Sequence, residues 1–230
     1  MIQNFEINQL NDLSYKVNAY DNFLNQEDYN ELKEFCRLNF SLNTNEKSTG
    51  DKKFNIFDNK INDQGIIKST IDPSFLKRLH RNYHQITMNI LKELCPSKVK
   101  LYDYSNFSIE VTSKNSKFPI HDDIPSKLLS GVIYIYPENN NATIFYSSKK
   151  GENKKTIEWK QNRGVFFSRK ERETWHSYES DGRNDRITLI YNLMTLQADK
   201  AVIEEGKNVF LSKLRHKLNP YFYKYFNKTF

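Results

Sequence analysis

The feature that most constrains the fold is a change of rhythm at Cys95-Pro96. Before it, Asp72-Pro73 offers a capping side chain followed by proline at the first helical position, and Phe75, Leu76, Leu79, Tyr83, Ile86, Ile90, Leu91 and Leu94 follow at helical spacing. After it come short β-rich runs broken by turn residues, at about 99–104, 106–112, 118–123, 130–136, 142–147, 155–159, 164–168, 174–178 and 185–194. Many short strands at such spacing predict an antiparallel sandwich or jelly roll. Helices first and strands second make the chain α+β, with the helices packed outside the sheet. An earlier helix is predicted from Gln26 to about Phe40, capped by Asn25, with Glu27 and Asp28 suiting its dipole and Tyr29, Leu32, Phe35, Cys36 and Asn39 along its inner stripe. The segment 41–65, rich in Asn, Asp, Lys and Ser around Phe54, Ile56 and Phe57, reads as a long irregular stretch or a weak hairpin.

A chain of 230 residues, 37% hydrophobic, can bury one core. No linker divides it, so the expectation is a single domain over 1–206, with a helical buttress at about 20–95 and a jelly-roll core at about 99–195, followed by a tail at 207–230. The net charge of +7 sits mostly in that tail, which has six basic and no acidic residues, against 29 basic and 28 acidic in the rest. A nearly neutral body argues against nucleic acid as the partner. No apolar run is long enough to cross a bilayer, and Met1 to Glu6 lacks the basic and apolar pattern of a secretion signal, giving a cytoplasmic expectation. Cys36 and Cys95 fall in helical stretches without close Cys or His neighbours and read as buried thiols.

The chemistry-bearing residues are His121-Asp122-Asp123 and, 55 positions later, Trp175-His176. Residues two apart on a strand share a side, so His121 and Asp123 can aim at one point while Asp122 faces away. A second histidine completes a face of two imidazoles and a carboxylate, leaving three octahedral positions open as in non-haem Fe(II) oxygenases. A His-x-Asp alone is often just a turn. What adds to it is Arg186-Ile187-Thr188, where Arg186 and Thr188 share a side and offer a guanidinium fork and a hydroxyl suited to a carboxylate.

With these residues the sequence resembles the Fe(II)/2-oxoglutarate-dependent dioxygenase superfamily, and in particular its prolyl-4-hydroxylase-like branch. The resemblance covers roughly 100–195, including Arg163 to Ser168 ahead of Trp175-His176, and loosely the opening at Phe23-Leu24. It implies a double-stranded β-helix, a cupin-like jelly roll, with N-terminal helices on its major sheet. It implies that His121, Asp123 and His176 bind Fe(II), that Arg186 pairs with the distal carboxylate of 2-oxoglutarate, and that Thr188 stands where many relatives carry a hydroxyl. Tyr134 looks like the tyrosine that several relatives direct at that carboxylate, with Tyr136 the relevant ring only if a bulge intervenes. The implied activity uses O2 to hydroxylate a C–H bond of an organic substrate, a prolyl residue or a small metabolite or sugar derivative, releasing succinate and CO2. Two other readings stay open: a jelly-roll binding module without redox chemistry, and a zinc hydrolase on the same triad, which would not need Arg186.

Other residues carry less. His80 and His84 lie four apart on the longest helix but lack a carboxylate between them and read as structural or surface residues, and His216 has no motif. Trp159 and Trp175 are core or rim aromatics, Trp175 being the one adjoining His176, while Lys127 and Asp122 are candidates for the pocket mouth. Arg183 sits in a turn. The tail reads first as a helix packed on the domain, and second as peripheral contact with an anionic membrane surface or a phosphate-bearing substrate.

Overall fold

The computed structural model describes residues 7–10, 13–40 and 53–226. β1 (Ile7–Gln9) and β2 (Val17–Tyr20) precede α1 (Gln26–Asn39), which is capped by Asn25 Oδ1 accepting from the Asp28 N–H at 2.8 Å. Next come β3 (Lys53–Asn62) and β4 (Gly65–Lys68), then α2 (Pro73–Leu94), whose first N–H groups are bound by Asp72. Both helices begin where capping chemistry places them. The strand expected at about 99–104 is instead a 3-10 turn, Pro96–Leu101, because proline starts a helical turn more readily than it enters a ladder.

The remaining strands are β5 (Tyr104–Thr112), β6 (Lys117–His121), β7 (Lys127–Tyr136), β8 (Ile144–Tyr146), β9 (Lys155–Thr156), β10 (Gly164–Phe167), β11 (Trp175–Glu179) and β12 (Arg186–Met194). They form an eight-stranded sheet in the order β1-β2-β10-β7-β12-β5-β3-β4 and a four-stranded sheet in the order β6-β11-β8-β9, antiparallel throughout. α3 (Ala198–Glu204) and α4 (Val209–Phe226) close the chain. This is the α+β jelly roll predicted, with one correction to the buttress at about 20–95: it is not wholly helical. Residues 41–52 of the doubtful segment, like Met1–Glu6 and the tail end 227–230, lie outside the described residues, but 53–68 form a hairpin that extends the major sheet along β5. The ladder with β5 overrides a polar sequence that has little strand propensity of its own.

The two faces of the major sheet differ in chemistry. On β12, Ile187, Leu189, Tyr191 and Leu193 join a core with Leu129, Ile133 and Ile135 of β7, Phe107 and Ile109 of β5, and Leu32, Leu76, Leu79 and Leu91 of the helices. The alternate positions, among them Arg186, Thr188, Ile190 and Asn192 of β12 and Ser130 and Val132 of β7, line a cavity between the sheets. A period of two thus gives one strand an apolar face for the helices and a polar face for a site. A smaller core, with Val17, Tyr134, Phe145, Trp159, Val165 and Phe167, fills the jelly roll beside that cavity. Gly131 of β7 permits this packing, since a Cβ there would lie 2.6 Å from the Tyr191 carbonyl oxygen and against the Phe166 ring. Cys36 is buried and Cys95 half-buried, both as free thiols.

Candidate active site

His121 ends β6 and His176 is the second residue of β11, and the antiparallel ladder pairs them directly. Cross-strand partners share a face, so the rings meet with centroids 4.2 Å apart. Asp123 lies just beyond β6, with Oδ2 4.0 Å from His176 Nε2, and one ligand atom from each of the three residues falls within 4.8 Å of the others. His121 Nδ1 lies 3.0 Å from the Pro119 carbonyl oxygen and His176 Nδ1 3.1 Å from that of Thr174. A carbonyl only accepts, so each Nδ1 carries the proton and each Nε2 is the ring's acceptor nitrogen.

Asp123 is held by two donors, Lys127 Nζ at 2.7 Å and Ser130 Oγ at 2.5 Å. Burial would raise its pKa, but Lys127 and the two histidines outweigh that and hold the carboxyl well below its usual range. Burial lowers the pKa of His176, with Asp123 opposing. Asp123 is thus held as a carboxylate and burial favours the neutral His176 imidazole, the forms in which these two groups ligate a divalent metal.

Arg186 opens β12 on the wall of the same cavity, 4% exposed, with Nε and Nη1 lacking any hydrogen-bond partner. Three rings surround its guanidinium, Tyr178 at 4.7 Å, Trp159 at 5.4 Å and Tyr134 at 5.5 Å. Burial lowers its pKa from the ordinary value, although arginine keeps its charge in proteins. A buried cation with unmade hydrogen bonds costs several kcal/mol; Glu110, on the same cavity, offsets part of that through charge, and the two open nitrogens suit an anionic ligand. Thr188 lines that cavity too, two residues along the strand.

A prolyl-4-hydroxylase from Pseudomonas putida has a similar structure, with a TM-score of 0.53 and 14% identity over 79% of this chain and 94% of its own. So does an oxidoreductase of the 2OG-Fe(II) oxygenase family from Burkholderia pseudomallei, with a TM-score of 0.51 and 11% identity over 77% of this chain and 84% of its own. The chain has the 2OG-Fe(II) oxygenase fold. No family model and no curated protein matches its sequence.

Within this oxygenase fold the structure brings His121, Asp123 and His176 together and sets Arg186 and Thr188 on the same cavity. Tyr134 is placed differently from the expectation that its hydroxyl faces a ligand: the hydroxyl donates to Thr143 Oγ1 at 3.2 Å and accepts from the Thr143 N–H at 3.1 Å, while its ring stacks on Trp159. Its contribution to the cavity is the ring beside Arg186. Neither tryptophan lines the cavity: Trp159 packs in the smaller core and flanks Arg186, whereas Trp175 lies under Lys149 and Arg215. Lys127 reaches the site through Asp123, and Asp122 turns away from it to Arg215 and the Arg172 N–H.

Sequence reasoning missed Ser130 and Tyr178, for which no local motif exists. It also missed a network of buried charges behind the triad. Arg215 of α4 binds Asp122 through both terminal nitrogens and reaches Glu171 at 3.3 Å; Glu171 accepts from Ser212; Arg169 joins Glu171 to Glu205 and donates to the Asp123 carbonyl oxygen; Lys98 completes the chain at Glu205. On the other side Tyr223 of α4 packs on Phe118, whose ring meets His121 at 4.5 Å. The basic tail therefore braces the turn that carries two of the three candidate ligands. The alternation of charge in Arg169-Lys170-Glu171-Arg172-Glu173 was the one available signal, and a solvated loop explains such a run equally well.

Proposed function

We propose that the protein is an Fe(II)- and 2-oxoglutarate-dependent oxygenase that hydroxylates a C–H bond of an organic substrate. The observation that carries this reading is the unpaired, buried Arg186 on the cavity that also holds the His121, Asp123 and His176 cluster. A hydrolytic zinc centre needs the cluster and has no use for a buried guanidinium beside it, and a binding module has no use for two imidazoles locked in the metal-ligating tautomer.

The residues fit the groups this reading requires. His121 Nε2, His176 Nε2 and an Asp123 oxygen supply the two nitrogens and one carboxylate of a facial iron site. Arg186 supplies a two-pronged donor for the far carboxylate of 2-oxoglutarate, with the Tyr134, Trp159 and Tyr178 rings fixing the guanidinium plane and excluding water. When bound, iron and 2-oxoglutarate supply the oxidising power that turns O2 and a C–H bond into an alcohol, with succinate and CO2 as by-products. Ser130 and Lys127 hold the Asp123 carboxylate in orientation, and the Pro119 and Thr174 carbonyls keep the imidazole protons on Nδ1.

The Pseudomonas neighbour is a prolyl-4-hydroxylase, which makes proline-containing peptides the first substrates to screen, ahead of small metabolites and sugar derivatives. The test is succinate formation from 2-oxoglutarate by protein reconstituted anaerobically with Fe(II) and then exposed to O2. We expect slow turnover without substrate, absent in His176→Ala and Asp123→Ala variants of native circular dichroism. Equal turnover in either variant would sink the assignment.

A further inference from the structure

A second convergence of metal-binding side chains lies outside the cavity. His80 and His84 are one turn apart on α2, and their rings stack with centroids 4.5 Å apart at 27°. The turn between β3 and β4 brings Asp63 to them, so that one Asp63 oxygen, Oδ1, lies 3.3 Å from His80 Nε2 and 3.9 Å from His84 Nε2. The sequence has no carboxylate between the two histidines; the fold supplies one from 17 residues upstream.

Hydrogen bonding leaves this arrangement incomplete. The His80 contact is a long hydrogen bond, and the His84 contact is beyond the range of one. Both Nδ1 atoms are buried without a partner, so His84 has nothing within reach on Nδ1 and only a distant carboxylate on Nε2. A single oxygen does not serve both Nε2 atoms, whereas one ion among the three would take both Nε2 lone pairs and the carboxylate together. Ligands at about 2.0–2.2 Å from a tetrahedral zinc lie roughly 3.3 Å apart. The His80–Asp63 pair already has that spacing, and the His84 pair needs a shift of about half an ångström, within the rotameric freedom of an Asp63 side chain 71% exposed.

We propose that Asp63, His80 and His84 form a second site, separate from the cavity triad, for a zinc-type divalent transition ion that clamps the β3–β4 turn to α2. Two imidazoles and one carboxylate suit zinc, cobalt, nickel or copper, whereas calcium and magnesium take all-oxygen sets. The fourth position faces solvent beside Asp63 and takes a water. The site sits on the far side of the major sheet from the cavity, because the inner stripe of α2 packs on the apolar face of β5, β7 and β12.

The test is calorimetric titration of Zn2+ into the metal-free full chain, and into a His121→Ala/His176→Ala background that disables the cavity triad. One equivalent should bind in that background and raise the melting temperature, with chelator reversing the shift. Adding Asp63→Asn should weaken binding about tenfold or more, and adding His84→Gln should abolish it. Co2+ in place of zinc should give the visible absorption of a four-coordinate centre. Asp63 is exposed, so its asparagine variant folds and gives a clean reading. No Zn2+ bound in the background, or affinity unchanged by both Asp63→Asn and His84→Gln, overturns the proposal. In the otherwise unaltered chain, the Asp63→Asn/His84→Gln pair removes one equivalent whether or not the cavity binds iron, so this result stands apart from the proposed activity.

Discussion

At the residue scale, the cavity places each charge where its neighbours fix what it can do. Arg186 has two nitrogens without hydrogen-bond partners, so its replacement should be felt by a ligand more than by the fold. Arg186→Ala is expected to raise the dissociation constant for 2-oxoglutarate by about tenfold to a hundredfold, consistent with roughly 1.5–3 kcal/mol for a charged hydrogen bond, while Fe(II) affinity stays within a few-fold. Separate calorimetric titrations of metal and cosubstrate check this, and equal losses in both would count against a carboxylate-binding role. Ser130→Ala removes one of the two donors that hold Asp123, so Fe(II) affinity should fall about tenfold or more with the melting temperature little changed.

At the element scale, α4 is the unexpected participant. Asp122 is fully buried and its carboxylate faces Arg215, an arrangement in which removing the cation strands a charge. Arg215→Ala should therefore destabilise the chain by about 3–5 kcal/mol in chemical denaturation. The double replacement Arg215→Met/Asp122→Leu should recover most of that, because it removes both charges, and failure to recover would show that other contacts of Arg215 dominate. α1 and α2 are joined by a similar device: Asp28 accepts from Tyr83, Arg78 and Asn82 beneath the first turn of α1. Here the acidic first turn that suits the helix dipole also bolts one helix to the next.

At the scale of the whole molecule, these carboxylates set the response to acid. Burial raises the pKa of Asp28, Asp58, Glu171 and Glu173, but their hydrogen bonds and cationic partners outweigh it, and Asp21 is held low chiefly by Arg163. A folded pKa below the unfolded value gives stability that is complete above the unfolded value, about 4 to 4.5, and is lost as pH falls through the folded values. Urea midpoints should therefore decline gently below about pH 6.5, where buried His176 and half-buried His84 and His216 resist the protonation they would take up unfolded, and fall steeply below about 4. A midpoint that stays flat to pH 3 would show that the network contributes little. Among the described residues no helix is long and apolar enough to cross a membrane.

Much of this was written in local sequence. The Asn25 and Asp72-Pro73 caps, the helical stripe of α2, the alternation along β12 and the two-residue step from His121 to Asp123 are short-range patterns, and local geometry alone decides which face each side chain takes. The pairing of His121 with His176, the carboxylate delivered to His80 and His84, the hydroxyl of Tyr134 turned to Thr143 and the anchoring of a basic tail on Asp122 depend on which strands and helices become neighbours. The physical reason is range: capping and periodicity act within a few residues, whereas ladder register and the partners of buried charges are settled only when segments far apart in the chain exclude water together.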